Sequence, residues 1–94
     1  MSIRAFYIPQ GLVIGDVVDV IDVKLIIKNP ALIIARQTEV ILAPLLHLVE
    51  ETEIKLKLSD MAFETTFTPK RELINHYNQI YGSGLVLTTS MPGA

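Results

Sequence analysis

The residues of this chain that could do chemistry are two histidines and a scatter of carboxylates. His47 lies in an apolar segment, and His76 borders the apolar stripe of a predicted helix. Neither belongs to an HExxH or comparable ligand spacing, and the chain has no cysteine to complete a metal site. We therefore expect both to be hydrogen-bonded structural, interface or surface residues, and we expect no metal and no cofactor.

The acidic residues are also poorly placed for chemistry. Asp16, Asp19 and Asp22 recur every three residues, a spacing that a strand does not bring onto one face. The surrounding Val and Ile favour a strand with solvated acids over a helix with aligned ligands. The turn Glu50–Glu53 lacks the apolar shielding that a general acid needs, and Gly82–Gly84 is not a nucleophile elbow. The chain is therefore predicted not to be an enzyme.

The basic residues are more informative by position than by number. Lys24 and Lys28 would share one strand face, and Lys55 and Lys57 another, while Lys70–Arg71 opens the helix, where free backbone N–H groups favour a phosphate. The chain has 8 Lys+Arg against 10 Asp+Glu, which excludes a generally basic nucleic-acid coat. The simplest interpretation is that these charges keep the outer faces of the protein soluble. In a ring of subunits, however, each charge would be repeated once per subunit, and together they would form a positive band facing a nucleic-acid backbone.

The central element that would position these residues is Ile21–Arg36. Its first part alternates, which predicts a strand with Val23, Leu25 and Ile27 facing inward. Asn29-Pro30 predicts a turn, because proline has no N–H group and disfavours helix in the residue before it. Ala31–Ala35 is then predicted to be a second strand, covered on both faces.

The flanking segments are also predicted to be short strands. Ile3–Ile8 is either an edge strand or a helical turn, and Leu12–Val20 is a strand with a bend or bulge at Gly15-Asp16. Val40–Leu48 is predicted to be a strand in which Pro44 imposes either a bend or an unpaired edge position.

The next segments predict a hairpin. In Glu53–Leu58 the alternation places Ile54, Leu56 and Leu58 inward. A very short loop at Ser59-Asp60 then predicts a returning strand, with an inward set of Met61, Phe63 and Phe67.

One helix is predicted, over about residues 69–81 in the C-terminal part of the chain. Thr68 would cap it, Pro69 suits the first helical position, and Gly82 would end it. Its apolar stripe consists of Leu73, Ile74, Tyr77, Ile80 and Tyr81. The remaining tail, residues 83–94, is uncharged, and its Leu85–Leu87 segment could add a strand to a neighbouring subunit.

Length and hydropathy predict one domain that forms a homo-oligomer. The chain has 94 residues, yet it is 50% hydrophobic with a mean hydropathy of +0.43. It contains no span of about 18 apolar residues, so we expect no membrane segment and attribute the excess to subunit contacts. We expect no signal peptide, because Met1–Arg4 offers no basic region followed by a long apolar core, and an intracellular location fits the lack of cysteine.

Two stretches carry a resemblance to a known family: Val23–Pro30, which reads VKLIIKNP, and Asn75–Asn78 with Tyr81–Gly84. The first resembles the opening strand motif of the Sm-like (LSm/Hfq) superfamily, with Pro30 in place of the glycine of its Lys-Asn-Gly turn. The chain looks in particular like a divergent group of small Sm-like proteins from marine metagenomes and their phages. It departs from the family pattern in lacking Arg-Gly near Leu58–Asp60 and in having its helix C-terminal.

The resemblance implies a small, strongly bent five-stranded barrel over about residues 20–67. With the C-terminal α-helix predicted above, the fold is expected to be mostly β. The resemblance also implies a ring, from pentamer to heptamer, that binds single-stranded RNA or DNA near its pore. In family terms the binding loops correspond to Arg36–Glu39 and Lys57–Asp60. With the helix start, the candidate nucleic-acid-binding residues are Arg36, Gln37, Thr38, Lys57, Ser59, Asp60, Lys70 and Arg71.

The leading hypothesis is a non-catalytic, ring-forming protein of RNA or DNA processing, located in the cytoplasm (of the host, if the chain is of phage origin). Base stacking is expected to be minor, since Tyr7, Tyr77, Tyr81 and the three Phe are mostly predicted to be buried. The alternative is a structural or assembly homo-oligomer of phage type that binds protein instead of nucleic acid.

Overall fold

The computed structural model describes residues 2–81, which form an antiparallel sheet of five strands, a single 3₁₀ turn and one helix. The strands are β1 (Ser2–Ile8), β2 (Gly11–Ile21), β3 (Lys24–Ala35), β4 (Val40–Pro44) and β5 (Glu53–Lys57), and the helix is α1 (Arg71–Tyr81). The prediction of a mostly β protein with one C-terminal helix is confirmed. Within the described range, no helix is long and apolar enough to cross a membrane.

Strand β3 is the centre of the sheet. One of its edges pairs with β2 along both halves. Along the other edge, the first half pairs with β5, from Lys24 opposite Lys57 to Lys28 opposite Glu53. The second half pairs with β4, from Ala31 opposite Pro44 to Ala35 opposite Val40. Strand β1 extends the sheet beyond β2.

The predicted turn at Asn29-Pro30 is wrong, because both residues lie inside the continuous strand β3. Asn29 has a φ of 51°, a left-handed conformation that asparagine tolerates better than most residues. Its N–H donates to the Thr52 carbonyl at 2.8 Å, and Pro30 is fully buried. The pair therefore makes a kink within β3, at the point where its pairing changes from β5 to β4.

The predicted irregularity at Gly15-Asp16 is confirmed. The pairing of β2 with β3 shifts register between Ile14 and Asp16, and again between Val17 and Asp19. Gly15 is buried at the first shift, where a Cβ atom would overlap Cγ2 of the fully buried Ile27. Glycine thus allows β2 to approach β3 closely at this point.

Replacing Gly15 with alanine is expected to destabilise the protein by about 1–3 kcal/mol, because Ile27 is enclosed and cannot move away. Chemical denaturation of Gly15→Ala measures this loss. The Gly15→Ala/Ile27→Ala double variant is the control, since it removes the overlapping methyl group. Its destabilisation should be smaller than the sum of the two single effects. Strictly additive effects would contradict the overlap.

Two apolar clusters hold the sheet, one on each face. The first consists of Phe6, Val13, Leu25, Ile27 and Met61, with Ile54, Leu56 and Leu58 packed against it as the alternation of β5 predicts. The second consists of Ile14, Ala31, Leu42 and Tyr77 and lies under α1. The helix thus covers only one of the two faces.

The predicted hairpin at Ser59-Asp60 is wrong. Leu58–Asp60 is a 3₁₀ turn, after which the chain crosses to the far edge of β1 instead of returning along β5. The Ala62 N–H donates to the Tyr7 carbonyl at 2.9 Å, and Ala5 and Phe67 exchange two backbone hydrogen bonds. Between residues 2 and 81 the sheet does not close into a barrel.

This route changes which side chains face inward. Met61 is buried as predicted, whereas Phe63 and Phe67 are exposed. Just before β3, Val23 is also exposed, because Asp22 and Val23 form the turn between β2 and β3. Ile34, near the end of β3, is partly open to solvent, so this half of the strand is not covered on both faces.

Strand β4 ends at Pro44, and residues 45–49 form turns instead of continuing the predicted strand to Leu48. Proline lacks the N–H group that a further ladder hydrogen bond would need. Ile3–Ile8, for which a strand and a helical turn were both open alternatives, lies within strand β1.

Helix α1 begins at Arg71, two residues later than predicted. Thr68 does not cap it: the Thr68 Oγ1 accepts a hydrogen bond from Arg4 at 2.8 Å, and the Lys70 carbonyl accepts the first helical N–H groups. The predicted stripe is confirmed for Leu73, Tyr77 and Tyr81, which pack on the sheet, but Ile80 is exposed. The predictions for Gly82 and the tail lie outside the described residues.

Candidate functional site

Four exposed lysines occupy one face of the pair formed by β3 and β5. Lys24 lies directly opposite Lys57, and Lys55 lies opposite Ile26. Directly opposed residues share a face, as do alternate residues of one strand. Lys24, Lys28, Lys55 and Lys57 therefore form one surface, which we call the lysine face. The sequence predicted that Lys24 shares a face with Lys28 and that Lys55 shares a face with Lys57. It did not predict that the two pairs lie on the same face, because that requires β3 and β5 to be neighbouring strands.

The charge of this face is uneven along the strands. At one end Lys28 lies opposite Glu53 on β5 and opposite Asp16 on β2, so acidic residues flank it in the sheet. At the other end Lys24 lies opposite Lys57, and like charges in direct opposition destabilise a sheet. On β2, Asp19 lies opposite Ile26, and the residue opposite Lys24 is the uncharged Ile21. The Lys24–Lys57 end is therefore the more positive end of the lysine face.

The predicted binding residues lie in three places. Lys57 belongs to the lysine face, and Ser59 and Asp60 lie in the 3₁₀ turn directly after it. The loop that contains Arg36, Gln37 and Thr38 is at the opposite end of β3, where the Arg36 N–H donates to the Glu39 carbonyl at 2.8 Å. Lys70 and Arg71 lie at the start of α1. Within one chain the structure therefore does not join the two predicted loops.

A second feature, which the sequence did not predict, is a groove of about 710 Å³ beside the first half of α1. We call it the apolar groove, and its main apolar lining is Tyr7, Leu12, Ile33, Val40, Phe67 and Leu73. The groove exists because α1, at eleven residues, covers Ile14, Ala31 and Leu42 but not the rest of that sheet face. Lys70, Glu72 and His76 lie along its helical wall.

Three aromatic side chains form an exposed cluster next to this groove. Tyr7, Phe63 and Phe67 meet edge to face, with ring centroids 5.6, 5.9 and 5.9 Å apart. The expectation of buried aromatic residues is therefore wrong for these three, although it is confirmed for Phe6 and Tyr77. The cause is the crossing of residues 61–67 to β1, which places the two phenylalanines beside Tyr7.

His47 Nδ1 lies 3.2 Å from the Pro44 carbonyl oxygen, so it is hydrogen-bonded as predicted, although in an exposed turn and not in a strand. Among residues 2–81, no group of three or more His, Cys, Asp or Glu side chains could hold a metal ion.

The most perturbed group anchors the helix. The Tyr77 hydroxyl donates to the carbonyls of Lys28 and Asn29, at 3.1 and 2.9 Å. Burial raises the pKa of Tyr77 well above its usual value, and repulsion from Asp16 adds to this effect. Burial also raises the pKa of Tyr81. These contacts attach α1 to the kink of β3, so the role of Tyr77 is structural.

No protein-family model matches the chain, and no curated protein matches it significantly. The fold and its surfaces define the class of molecule instead: a mostly antiparallel β protein with one helix, carrying a lysine face and an apolar groove.

Proposed function

We propose that this chain is a non-catalytic nucleic-acid-binding protein that works as a ring-shaped homo-oligomer. It binds the phosphate backbone of single-stranded RNA, and of single-stranded DNA, through the lysine face. The observation that carries this proposal is the direct opposition of Lys24 and Lys57 on an exposed part of the sheet. Such a pair costs stability in the free protein, and a bound phosphate removes that cost.

The proposal includes an Sm-like fold. It is supported by the kink in β3, by the 3₁₀ turn after β5 and by the backbone contacts of residues 61–67 with β1. In this proposal the neighbouring subunits complete the barrel, and each repeats the lysine face around the ring. The chain has a net charge of −2, so binding depends on this local arrangement and not on overall charge.

Arg36, Gln37 and Thr38 are a second proposed contact. They are separated from Lys57 by the length of β3, at most about 36 Å for a straight strand of twelve residues. Because Lys57 and these residues lie at opposite ends of β3, we expect a single phosphate not to contact both. In the proposed ring these residues therefore contact a different part of the same strand of nucleic acid.

Titration of a labelled single-stranded oligonucleotide, followed by fluorescence anisotropy, tests the proposal. Affinity should fall between about 50 and about 200 mM salt, because binding releases counterions. In Lys24→Gln/Lys57→Gln the slope of log affinity against log salt should be shallower by about 0.7 for each lysine removed. The variant should be at least as stable as the parent protein, because the repulsion is gone.

Lys28→Gln is the matched control, since it removes a lysine of the same face that is already opposed by Glu53. Its effect on the salt slope should be smaller than that of either lysine in the unneutralised pair. Equal slopes for the parent protein and the double variant would refute the lysine face as the binding surface. A native mass equal to that of a single chain would refute the ring.

The second candidate function is assembly with protein. It is favoured by the apolar groove and by the exposed cluster of Tyr7, Phe63 and Phe67. Aromatic side chains are enriched in protein interfaces, and an exposed apolar patch often indicates a protein-binding surface. An oligomer that binds no oligonucleotide at low salt would decide for this candidate.

A further inference from the structure

An exposed apolar turn follows strand β4. Leu48 is 85% exposed there, more than any other large apolar side chain between residues 2 and 81, and Leu45 and Val49 are 44% and 54% exposed. We call residues 45–49 the apolar turn. Uncovered apolar surface is unfavourable in water, and a contiguous patch of it indicates a contact with another molecule. The apolar turn is therefore a surface that a partner would cover.

The apolar turn is attached to the body of the protein by its backbone and by its inner side chain. The Leu45 N–H donates to the carbonyl of the buried Pro30 at 3.0 Å. Leu46 is half-buried and lines a small cavity together with Tyr81, the last residue of α1. These contacts hold the turn against β3 and the end of the helix, while Leu48 stays in solvent.

The apolar groove lies at the other end of the same elements. Its lining includes Val40, the first residue of β4, and Leu73, in the first half of α1. The apolar turn instead follows Pro44, the last residue of β4, which is about 13 Å from Val40 at 3.3 Å per residue. The attached turn therefore does not enter the groove of its own chain. A second copy supplies the same turn without this constraint.

The groove suits an inserted apolar side chain. Its volume of about 710 Å³ lies within the range of about 300–1,000 Å³ that is typical of binding clefts. Tyr7, Val40 and Phe67 line it and are partly exposed, so an inserted leucine would cover them. Burial of apolar surface on both sides of such a contact favours association.

The charges around the two surfaces are also complementary. The exposed pair Glu50-Glu51 directly follows the apolar turn, and no lysine or arginine occurs from residue 37 to residue 54. At the groove, Lys70 lies on the helical wall and the exposed Lys70-Arg71 pair stands at the start of α1, although Glu72 also lies on this wall. An acidic segment beside the turn is thus oriented toward a basic helix start.

We propose that the apolar turn of one copy packs into the apolar groove of a second copy, with Leu48 as the inserted side chain. This inference rests on the ring proposed above and names the contact that joins its subunits. The turn and the groove are different surfaces of one chain, so the contact repeats head to tail. Such a contact builds a closed ring when the rotation between neighbours closes.

A cross-link between two different variants tests the contact directly, because the chain has no cysteine of its own. Leu48→Cys and Val40→Cys chains are co-expressed, mildly oxidised and separated on a non-reducing gel. The mixed disulfide dimer should form about tenfold more than in a mixture of Leu48→Cys with Val23→Cys, because the contact raises the local concentration of the two thiols. Val23 is the matched control, since it is 62% exposed and lies outside the groove. Equal yields in the two mixtures would overturn the proposal.

The second test is the effect of Leu48→Asp on the native mass, measured by light scattering over a range of concentrations. The oligomer should need an about tenfold higher concentration, or more, to form, because a buried leucine is lost and a charge enters an apolar groove. Val23→Asp is the matched control and should leave the mass unchanged. Both residues are exposed, so both variants should keep the cooperative thermal transition of the parent protein.

The outcomes separate this contact from the proposed function. An oligomer that Leu48→Asp does not weaken would overturn the contact while the ring stands. A parent protein with the mass of a single chain would overturn both. Nucleic-acid binding is tested independently, by the salt slope of Lys24→Gln/Lys57→Gln, and its failure would not change the cross-link or the native mass.

Discussion

Replacing Phe6 with alanine is expected to lower the free energy of unfolding by about 3–5 kcal/mol, the usual loss for a buried phenylalanine. Phe6 is 1% exposed and belongs to the cluster with Val13, Leu25, Ile27 and Met61. A domain of this size is stabilised by only about 5–15 kcal/mol in total. The substitution therefore removes a large part of its stability, and urea denaturation at neutral pH measures the change.

Phe63→Ala is the matched control, since it makes the same chemical change at a residue that is 53% exposed. Its effect should be below about 1.5 kcal/mol, because only the edge-to-face contacts with Tyr7 and Phe67 are lost. The comparison also tests the course of the chain after the 3₁₀ turn. If Phe63 packed inward, as alternation after Ser59-Asp60 predicts, the two substitutions would cost similar amounts.

Raising the pH above about 10 is expected to destabilise the protein, by up to about 1.4 kcal/mol for each pH unit. Burial, together with the Asp16 carboxylate, raises the pKa of Tyr77. In the unfolded chain the phenol loses its proton near pH 10, whereas in the folded chain it keeps it. The folded state then binds one more proton at Tyr77. The contribution of Tyr77 to stability is therefore constant well below pH 10 and falls above it, by up to about 1.4 kcal/mol per pH unit.

The Tyr77→Phe variant tests whether Tyr77 causes the loss of stability at high pH. At neutral pH the variant should be less stable by about 0.5–2 kcal/mol, because the carbonyls of Lys28 and Asn29 lose a hydrogen-bond donor. Above pH 10 its stability should fall less steeply, with the residual slope due partly to Tyr81, whose pKa burial also raises. Urea denaturation over this pH range measures both effects. Parallel pH profiles for the two proteins would exclude Tyr77 as the source.

Local sequence patterns were sufficient to predict which side chains of a single strand or a single helix pack on the sheet. The alternation of Glu53–Leu58 correctly places Ile54 and Leu56 toward the first cluster, and the helical spacing correctly places Tyr77 on the sheet. The irregular points Gly15-Asp16 and Asn29-Pro30 were also located correctly. At Asn29-Pro30, however, residue type alone does not distinguish a turn from a kink within a strand. Strand β3 continues through this kink and pairs with β2 both before and after it.

The sequence does not determine which of the possible strands lie next to one another in the sheet. Nothing in residues 58–67 distinguishes a return along β5 from the observed crossing to β1, because both routes place apolar side chains near the sheet. The candidate sites depend on the same choice. The lysine face requires β3 and β5 to be neighbours in register, and the apolar groove requires a helix shorter than the sheet face below it.

The kinked strand β3 is also important for how the protein unfolds. Strands β2, β4 and β5 all pair with β3, and α1 attaches to its kink through Tyr77. Opening β3 locally therefore breaks the hydrogen bonds of three other strands at once. Cooperative unfolding is concentrated in this one segment, whereas the loops beyond Ala35 and Pro44 can open on their own. A single twelve-residue strand thus makes the small sheet one folding unit.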